Sequence, residues 1–453
     1  MTIFARSALI GDAWFQDVRV EIREGEITSV TADSTAVDGD TGVQVLLPAL
    51  SNLHSHTFQR AMAGMTEYRA AGRESFWTWR DLMYRFLDRL TPEQVEAIAA
   101  QVFLEMQEAG YAAVGEFHYV HHQPGGAPYD QLSELSQRIF AAAGASGIGL
   151  THLPVLYSRG GVRDEVLAGG QLRFGNDTEQ FLRLADEARG ALAGLPADAR
   201  LGIAPHSLRA VAPDGLEQVL AATPSGPVHI HISEQVQEVE DVQAVLGQRP
   251  VSWLLDNADV NARWCLIHAT HMAAAETAAM ARSGAVAGLC PITEANLGDG
   301  IFNGAAYLEE GGAFGVGSDS NVRIALGEEL RSFEYSQRLR DKSRNILAAE
   351  GGSTGQRLYN GAARGGAQAL DRNAGEIAPG RLADLVAIDR TAPALCALSD
   401  AQLLDGLCFA AGEGIVTDLW SAGRHMVRQG RHVARDAITP AYRKAVADLL
   451  AAI

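Results

Sequence analysis

The chain has 453 residues, 47% hydrophobic and 20% charged, enough apolar side chain to bury a large core. Its formal net charge of −18 repels nucleic acid and anionic lipid, so neither is an expected partner, and an anionic substrate needs a local cluster of arginines. Cys265, Cys290, Cys396 and Cys408 form no C-x-x-C pair and read as small buried apolar residues of a reducing cytosol.

The N-terminus lacks the charged n-region and cleavage site of a secretion signal, and no uncharged apolar run reaches about 18 residues, so a soluble cytoplasmic protein is expected. The first 45 or so residues carry short β-type patches, VRVEI and EITSV, broken by glycine and aspartate. From LLPALSNLHSH onward, apolar strand-like runs alternate with amphipathic stretches, the pattern of repeated β-α units. Eight such runs occur: VLLPALSNLH, YAAVGEFH, IGLTHLPVLY, LGIAPH, VHIHIS, WCLIH, AVAGLC and FGVGSD. Eight is the number that closes a (β/α)8 TIM-type barrel. Among the intervening stretches, TPEQVEAIAAQVFLEMQEAG opens with Thr91 as N-cap, Pro92 in the first turn and Gln94 completing a capping box, and stops at Gly110. Beyond residue 373, GEIAPGRLADLVAID returns to β-type alternation and LWSAGRHMVRQGRHV reads as a hairpin. The expected architecture is α/β: a barrel over 48–373, a small composite β-sandwich from 1–47 and 374–436, and a closing helix over 437–453.

Successive strand residues face opposite ways, so His54 and His56 project to one side, the lumen of a barrel strand near its C-terminal mouth. Other strand ends repeat the theme: His118, His206, His231, His268 and Asp319 close the second, fourth, fifth, sixth and eighth runs. A single histidine ending an apolar strand is usually a hydrogen-bonded core residue, but six such ends are hard to explain by packing, because each buried polar group needs a partner. A shared cation supplies one. Nitrogen and oxygen donors without thiolate suit zinc, and also iron or manganese. Asp319 in GVGSDSN has a second reading as a helix N-cap. In VHIHISEQ both His229 and His231 face inward, and Glu234 follows three residues later, placed as the proton-carrying carboxylate of a deaminating hydrolase. His229, one layer deeper, reads as structural.

LPALSNLHSH, the HxxE from His231 to Glu234, His268, and Asp319 in SDSN resemble the amidohydrolase superfamily in its mononuclear deaminase branch. Nearly the whole chain takes part, including the GRLADLVAID strand. SFWTWRDLMYRF, AVGEFHYVHH, HSLRAV, IHATH and TEANLGDGIF are more closely similar to the formimidoylglutamate deiminases, enzymes of histidine degradation. That resemblance implies hydrolysis of N-formimidoyl-L-glutamate to N-formyl-L-glutamate and ammonia by water activated on one divalent ion, zinc first. It implies His54, His56, His231 and Asp319 as ligands, with Glu234, His268 and Asp319 catalytic. Around the glutamate part of the substrate it places Gln59, Arg80, Tyr119, His206 and Arg209. The only lysines, Lys342 and Lys444, lie beyond the eighth run, which excludes a lysine-bridged pair of metals.

Arg80 has an alternative reading as part of an ordinary packed helix, and Arg209 as a surface ion-pair residue. Arg323 is a further candidate for the pocket, ranked below Arg80 and Arg209, and Glu294 and Asn296 have two readings, lining the mouth or capping a helix, while His121, His122, His152, His271, His425 and His432 read as structural or exposed. The competing functions are a deaminase of purine, pyrimidine or triazine rings, and a non-catalytic barrel scaffold. A homodimer is the expected assembly.

Overall fold

In the computed structural model, which describes residues 1–67 and 76–452, all eight apolar runs contain parallel strand segments. Leu50–Ser55, Tyr111–His118, Gly149–Leu156 and a broken fourth segment, Arg200–Leu201 with Ala204–Pro205, make one sheet. Val228–Ile232, Trp264–His268, Val286–Leu289 and Ala313–Val316 make a second. Parallel bridges from Ser55 to Asp319 and from Ile203 to Val228 join the two sheets at both edges. The chain has a TIM-barrel-type α/β fold. Its first three strands are buried along their whole length, which is why they read as continuous apolar runs and not as alternation.

Helices fill the connections. Pro92–Glu108 begins on the anticipated capping box: Thr91 Oγ1 accepts from Gln94 N at 3.3 Å, and Gln94 Oε1 accepts from Thr91 N at 3.0 Å. Thr354–Ala369 packs against the strands that start and end the series, so closely that a Cβ on Gly365 would lie 1.9 Å from Phe314 O. Gly317 acts similarly beside the site: a Cβ there would sit 2.7 Å from His54 O, so only glycine lets the end of the eighth strand reach the first.

The run VLLPALSNLH is not one strand. Thr41–Pro48 pairs parallel with Thr2–Ile10 and antiparallel with Leu385–Ile388, and the chain then changes sheet, Leu50–Ser55 pairing with the second barrel strand. Pro48 has no N–H to continue the ladder, so the break falls there. Because Thr41–Pro48 pairs on both sides, strands from the two chain ends merge into one eight-stranded sheet where two stacked sheets were expected. Its own core includes Ile3, Val18, Val20, Ile27, Leu46, Leu385 and Trp420. Buried Arg372 ties this sheet to the barrel, bonding Asp384 Oδ1 and Asp198 Oδ2 at 2.9 Å each, while Arg424 holds the other side of Asp198 at 2.7 Å.

Two further differences concern the C-terminal third. A helix, Asp400–Phe409, interrupts the segment read as wholly β; its signal was the S-x-x-Q spacing of Ser399 and Gln402, whose Oε1 accepts from Ser399 N at 3.2 Å. The closing helix runs Arg435–Ala452, residue 453 lying outside the described residues, and packs on Pro92–Glu108, where Thr439 Oγ1 donates to Gln101 Oε1 at 3.0 Å. Cys396 is exposed, unlike the other three cysteines. It follows the turn after the strand Leu385–Ile388, and among the described residues no sheet or helix covers it.

Candidate active site

Strand alternation brings His54 and His56 to the same side as Phe117 of the neighbouring strand, whose ring centroid is 5.0 Å from His54 and 4.3 Å from His231. The Nδ1–H of His56 donates to Phe117 O at 2.9 Å, and that of His231 to His206 O at 3.2 Å. Each bond fixes the tautomer, leaving the lone pair on Nε2 aimed inward. His54 Nε2 and His231 Nε2 stand 3.0 Å apart, and the ligand atoms of His54, His56 and His231 all fall within 4.8 Å of one another. Two ligand nitrogens about 2.0–2.1 Å from one tetrahedral ion are separated by roughly 3.3 Å, so the spacing fits a shared cation. Burial pushes all three imidazoles down, His54 to about 3, which keeps them in the neutral form that binds metal.

Asp319 closes this group from the eighth strand. Its Oδ1 lies 3.6 Å from His54 Nε2 and 3.4 Å from His56 Nε2. It does not cap the helix that follows, since Leu326–Asp341 takes Ala325 as N-cap. Burial alone would raise its pKa, but the contact with His54 and the favourable interactions with the imidazoles of His54, His56 and His268 hold the carboxylate below its ordinary value. The residues thus fit one divalent ion bound by nitrogen and oxygen.

Beside this centre, His268 Nε2 lies 3.8 Å from Asp319 Oδ2 and 4.0 Å from Glu234 Oε1, and its ring stacks on His231 with centroids 5.6 Å apart. Burial opposes protonation of His268, yet Glu234, Glu294 and Asp319 outweigh it and carry the imidazole up to about 10. Burial raises the Glu234 carboxyl, opposed by His268 and Arg209. Ser233, His268, Ala269 and Asp319 all have positive φ, between 46° and 68°, a backbone strain that gathers at the strand ends carrying the polar groups.

All five residues assigned to the substrate by resemblance line the same cavity as these groups: Gln59, Arg80, Tyr119, His206 and Arg209. Gln59 Nε2 donates to Tyr119 Oη at 2.7 Å. The Arg80 guanidinium sits 5.4 Å from the Tyr84 ring centroid on the helix Phe76–Leu87 and lines the cavity. Arg209 also belongs to the cavity wall, which sets aside its reading as a surface residue; burial lowers its pKa, but Glu238, Tyr157 and Glu234 raise it further. Trp79, Tyr84, Tyr157 and Phe174 complete an aromatic wall that sequence reasoning did not assign. Ser75, which opens the SFWTWR string, lies outside the described residues.

His118 and three further candidates lie outside the cavity wall. His118 turns away from the mouth, because Phe117 takes the inward position, and packs with centroids 5.5 Å from His121 and 5.3 Å from His152. Arg323 pairs with Glu328 and Glu413 outside the cavity. Asn296 donates to Glu67 at 2.7 Å. Glu294 lies behind His268, with Oε1 3.2 Å from His268 Nδ1. His229 is structural, its Nε2 bonded to Ala369 O at 2.7 Å, and His121, His122 and His271 likewise bond backbone carbonyls. Glu238 was missed altogether; its Oε2 accepts from Glu234 N at 3.1 Å and fixes the turn that presents Glu234.

The model for the amidohydrolase family matches residues 45–426, and that for the N-terminal domain of formimidoylglutamate deiminase HutF matches residues 1–42. Formimidoylglutamate deiminase of Pseudomonas aeruginosa is 49% identical over 451 residues, covering 99% of each chain. The chain belongs to the formimidoylglutamate deiminase family of amidohydrolases. As a deiminase of this family it is a hydrolase of carbon–nitrogen bonds. An amidohydrolase structure from Brucella melitensis is 49% identical, with a TM-score of 0.95 over 99% of both chains. A zinc-containing adenosine deaminase from Xanthomonas campestris shares the fold, with a TM-score of 0.83 at 23% identity over 99% of this chain and 98% of its own. Among the described residues, no helix of this deiminase is long and apolar enough to cross a membrane.

Proposed function

We propose that the chain hydrolyses N-formimidoyl-L-glutamate to N-formyl-L-glutamate and ammonia, as a cytoplasmic step of histidine degradation. The observation that carries this reading is the pair Arg80 and Arg209 on the wall of the cavity that also holds His56, His231 and Asp319. In a chain of net charge −18, two guanidiniums in one cavity favour a ligand with carboxylates, which arginine binds through paired hydrogen bonds. Gln59, Tyr119 and His206 add donors beside them.

His54, His56, His231 and Asp319 would hold one divalent ion, which we propose is zinc, since three of the four donors are imidazole nitrogens, a ligand type that suits it. Such an ion, when bound, lowers the pKa of water enough to make hydroxide available near neutral pH. Glu234 takes a proton from water and returns it to the departing nitrogen, a role suited to a carboxyl raised by burial. His268 donates from Nε2 to the oxygen added at the formimidoyl carbon, and Asp319 shares in holding the proton. The amidinium is already a positively charged electrophile, so no cluster of backbone amides is needed. The catalytic set thus lies on 48–373, with the terminal strands of 1–47 and 374–436 as a supporting unit.

Ammonia release from formimidoylglutamate, measured beside guanine, cytosine and adenosine, tests the substrate. Turnover of formimidoylglutamate alone is expected, and release from a base with none from formimidoylglutamate overturns the proposal. Arg209→Met tests the carboxylate site. Losing hydrogen bonds to a charged group costs about 1.5–3 kcal/mol, so KM should rise roughly 10- to 150-fold. An unchanged KM moves the carboxylate site elsewhere.

A further inference from the structure

Glu294 does not line the cavity, yet it touches a residue that does. It lies in the short helix Pro291–Leu297 after the seventh strand and is held rigidly there. Its Oε1 accepts from Cys290 N at 2.9 Å, its own N–H donates to Cys290 O at 2.8 Å, and its carbonyl accepts from Asp299 N at 2.9 Å. Oε1 also accepts from His268 Nδ1, at 3.2 Å. His268 needs such a hold: it ends its strand at φ 68°, where the strand's own pleat no longer sets the ring direction.

We infer that Glu294 is a positioning residue of the reaction, holding His268 by Nδ1 so that Nε2 faces the oxygen added at the reacting carbon. A carboxylate only accepts, so Nδ1 keeps a proton of its own for Glu294, and it is the Nε2–H of the imidazolium alone that addresses the substrate. The far side of the ring is restrained as well, stacked on His231 at 12° between planes. Nε2 then lies 3.8 and 4.0 Å from Asp319 and Glu234, beyond hydrogen-bond length to either, and points into the space between them. Glutamine keeps a neutral acceptor but loses the charge-assisted bond, which loosens the hold on the ring. The inference rests on His268 acting at the substrate, as proposed above.

The test is a double-mutant cycle of Glu294→Gln with His268→Asn, with Glu294→Asp as the conservative variant, each read for kcat, KM, metal content and melting temperature. Partners of this kind usually matter by about 10- to 100-fold, so Glu294→Gln should lose that much kcat with KM and metal content unchanged. Glu294→Asp should recover part of the loss, and adding Glu294→Gln to His268→Asn should cost nothing more. Full kcat in Glu294→Gln overturns the inference, as does a further loss in the His268→Asn background. If Glu294→Gln melts early, Glu294→Asp decides: kcat between parent and Gln variant at parental melting temperature supports positioning, and parental kcat refutes it. Undiminished activity of His268→Asn would instead overturn the proposed role of His268, an outcome separate from the Glu294 result.

Discussion

Glu234→Gln lowers kcat by about 10²- to 10⁴-fold while leaving metal content and KM near the parent values, the range expected when a positioned acid–base group is removed. Three observations set this expectation. Glu234 sits one turn of chain beyond His231, buried, with its carboxylate 4.0 Å from His268 Nε2. Glu238 fixes the same turn through Ser233 N and Glu234 N, at 3.2 and 3.1 Å, so the backbone does not depend on the Glu234 side chain. Burial raises the carboxyl, bringing it nearer the pH at which a proton is both taken up and released. Glutamine has nearly the same shape and cannot carry the proton. Kinetics on formimidoylglutamate together with metal analysis separate the outcomes: a fully active variant removes Glu234 from proton transfer, and a metal-free one makes it structural.

The metal group was legible in the sequence because strand geometry has a period of two. His54 and His56 must face one way, and each later ligand lies at the end of an apolar run, where parallel strands of this fold expose side chains at a common mouth. The same rule, applied without knowing the inward parity, misplaced His118, since Phe117 and not His118 faces the lumen. Glu238, and the contact of Glu294 with His268, were illegible for another reason. Both act from short or newly begun helices, where a shift of one residue turns the side chain by about 100° (roughly 3.6 residues per turn), so sequence position alone does not aim them. The change of sheet at Pro48 escaped notice because both halves of VLLPALSNLH are equally apolar; only pairing distinguishes them. The arginines of the cavity became identifiable through the family strings around them, not through spacing, because each stands in a connecting segment whose course is set by tertiary packing.

Stripping the metal with a chelator should abolish ammonia release and also lower the melting temperature, with both recovered on adding back one equivalent of zinc. The loss of activity follows from the chemistry the ion supplies. The loss of stability follows from the arrangement of the ligands. His56 and His231 give their Nδ1 protons to backbone carbonyls, so their Nε2 atoms have no proton to share, and His231 Nε2 faces His54 Nε2 at 3.0 Å. Without a cation, that contact requires His54 to donate, while Asp319 at 3.4 Å from His56 Nε2 faces a second lone pair. An ion bound by the folded chain alone adds about 2.7 kcal/mol when present at 100 times its Kd. His56→Ala provides the control, because it removes one ligand from the first strand and leaves the arginine wall intact. It should bind metal weakly and stay inactive at zinc concentrations that restore the parent. Activity that survives thorough chelation, with the protein shown to be metal-free, would remove the ion from the reaction and leave His54, His56 and His231 as a hydrogen-bonded core.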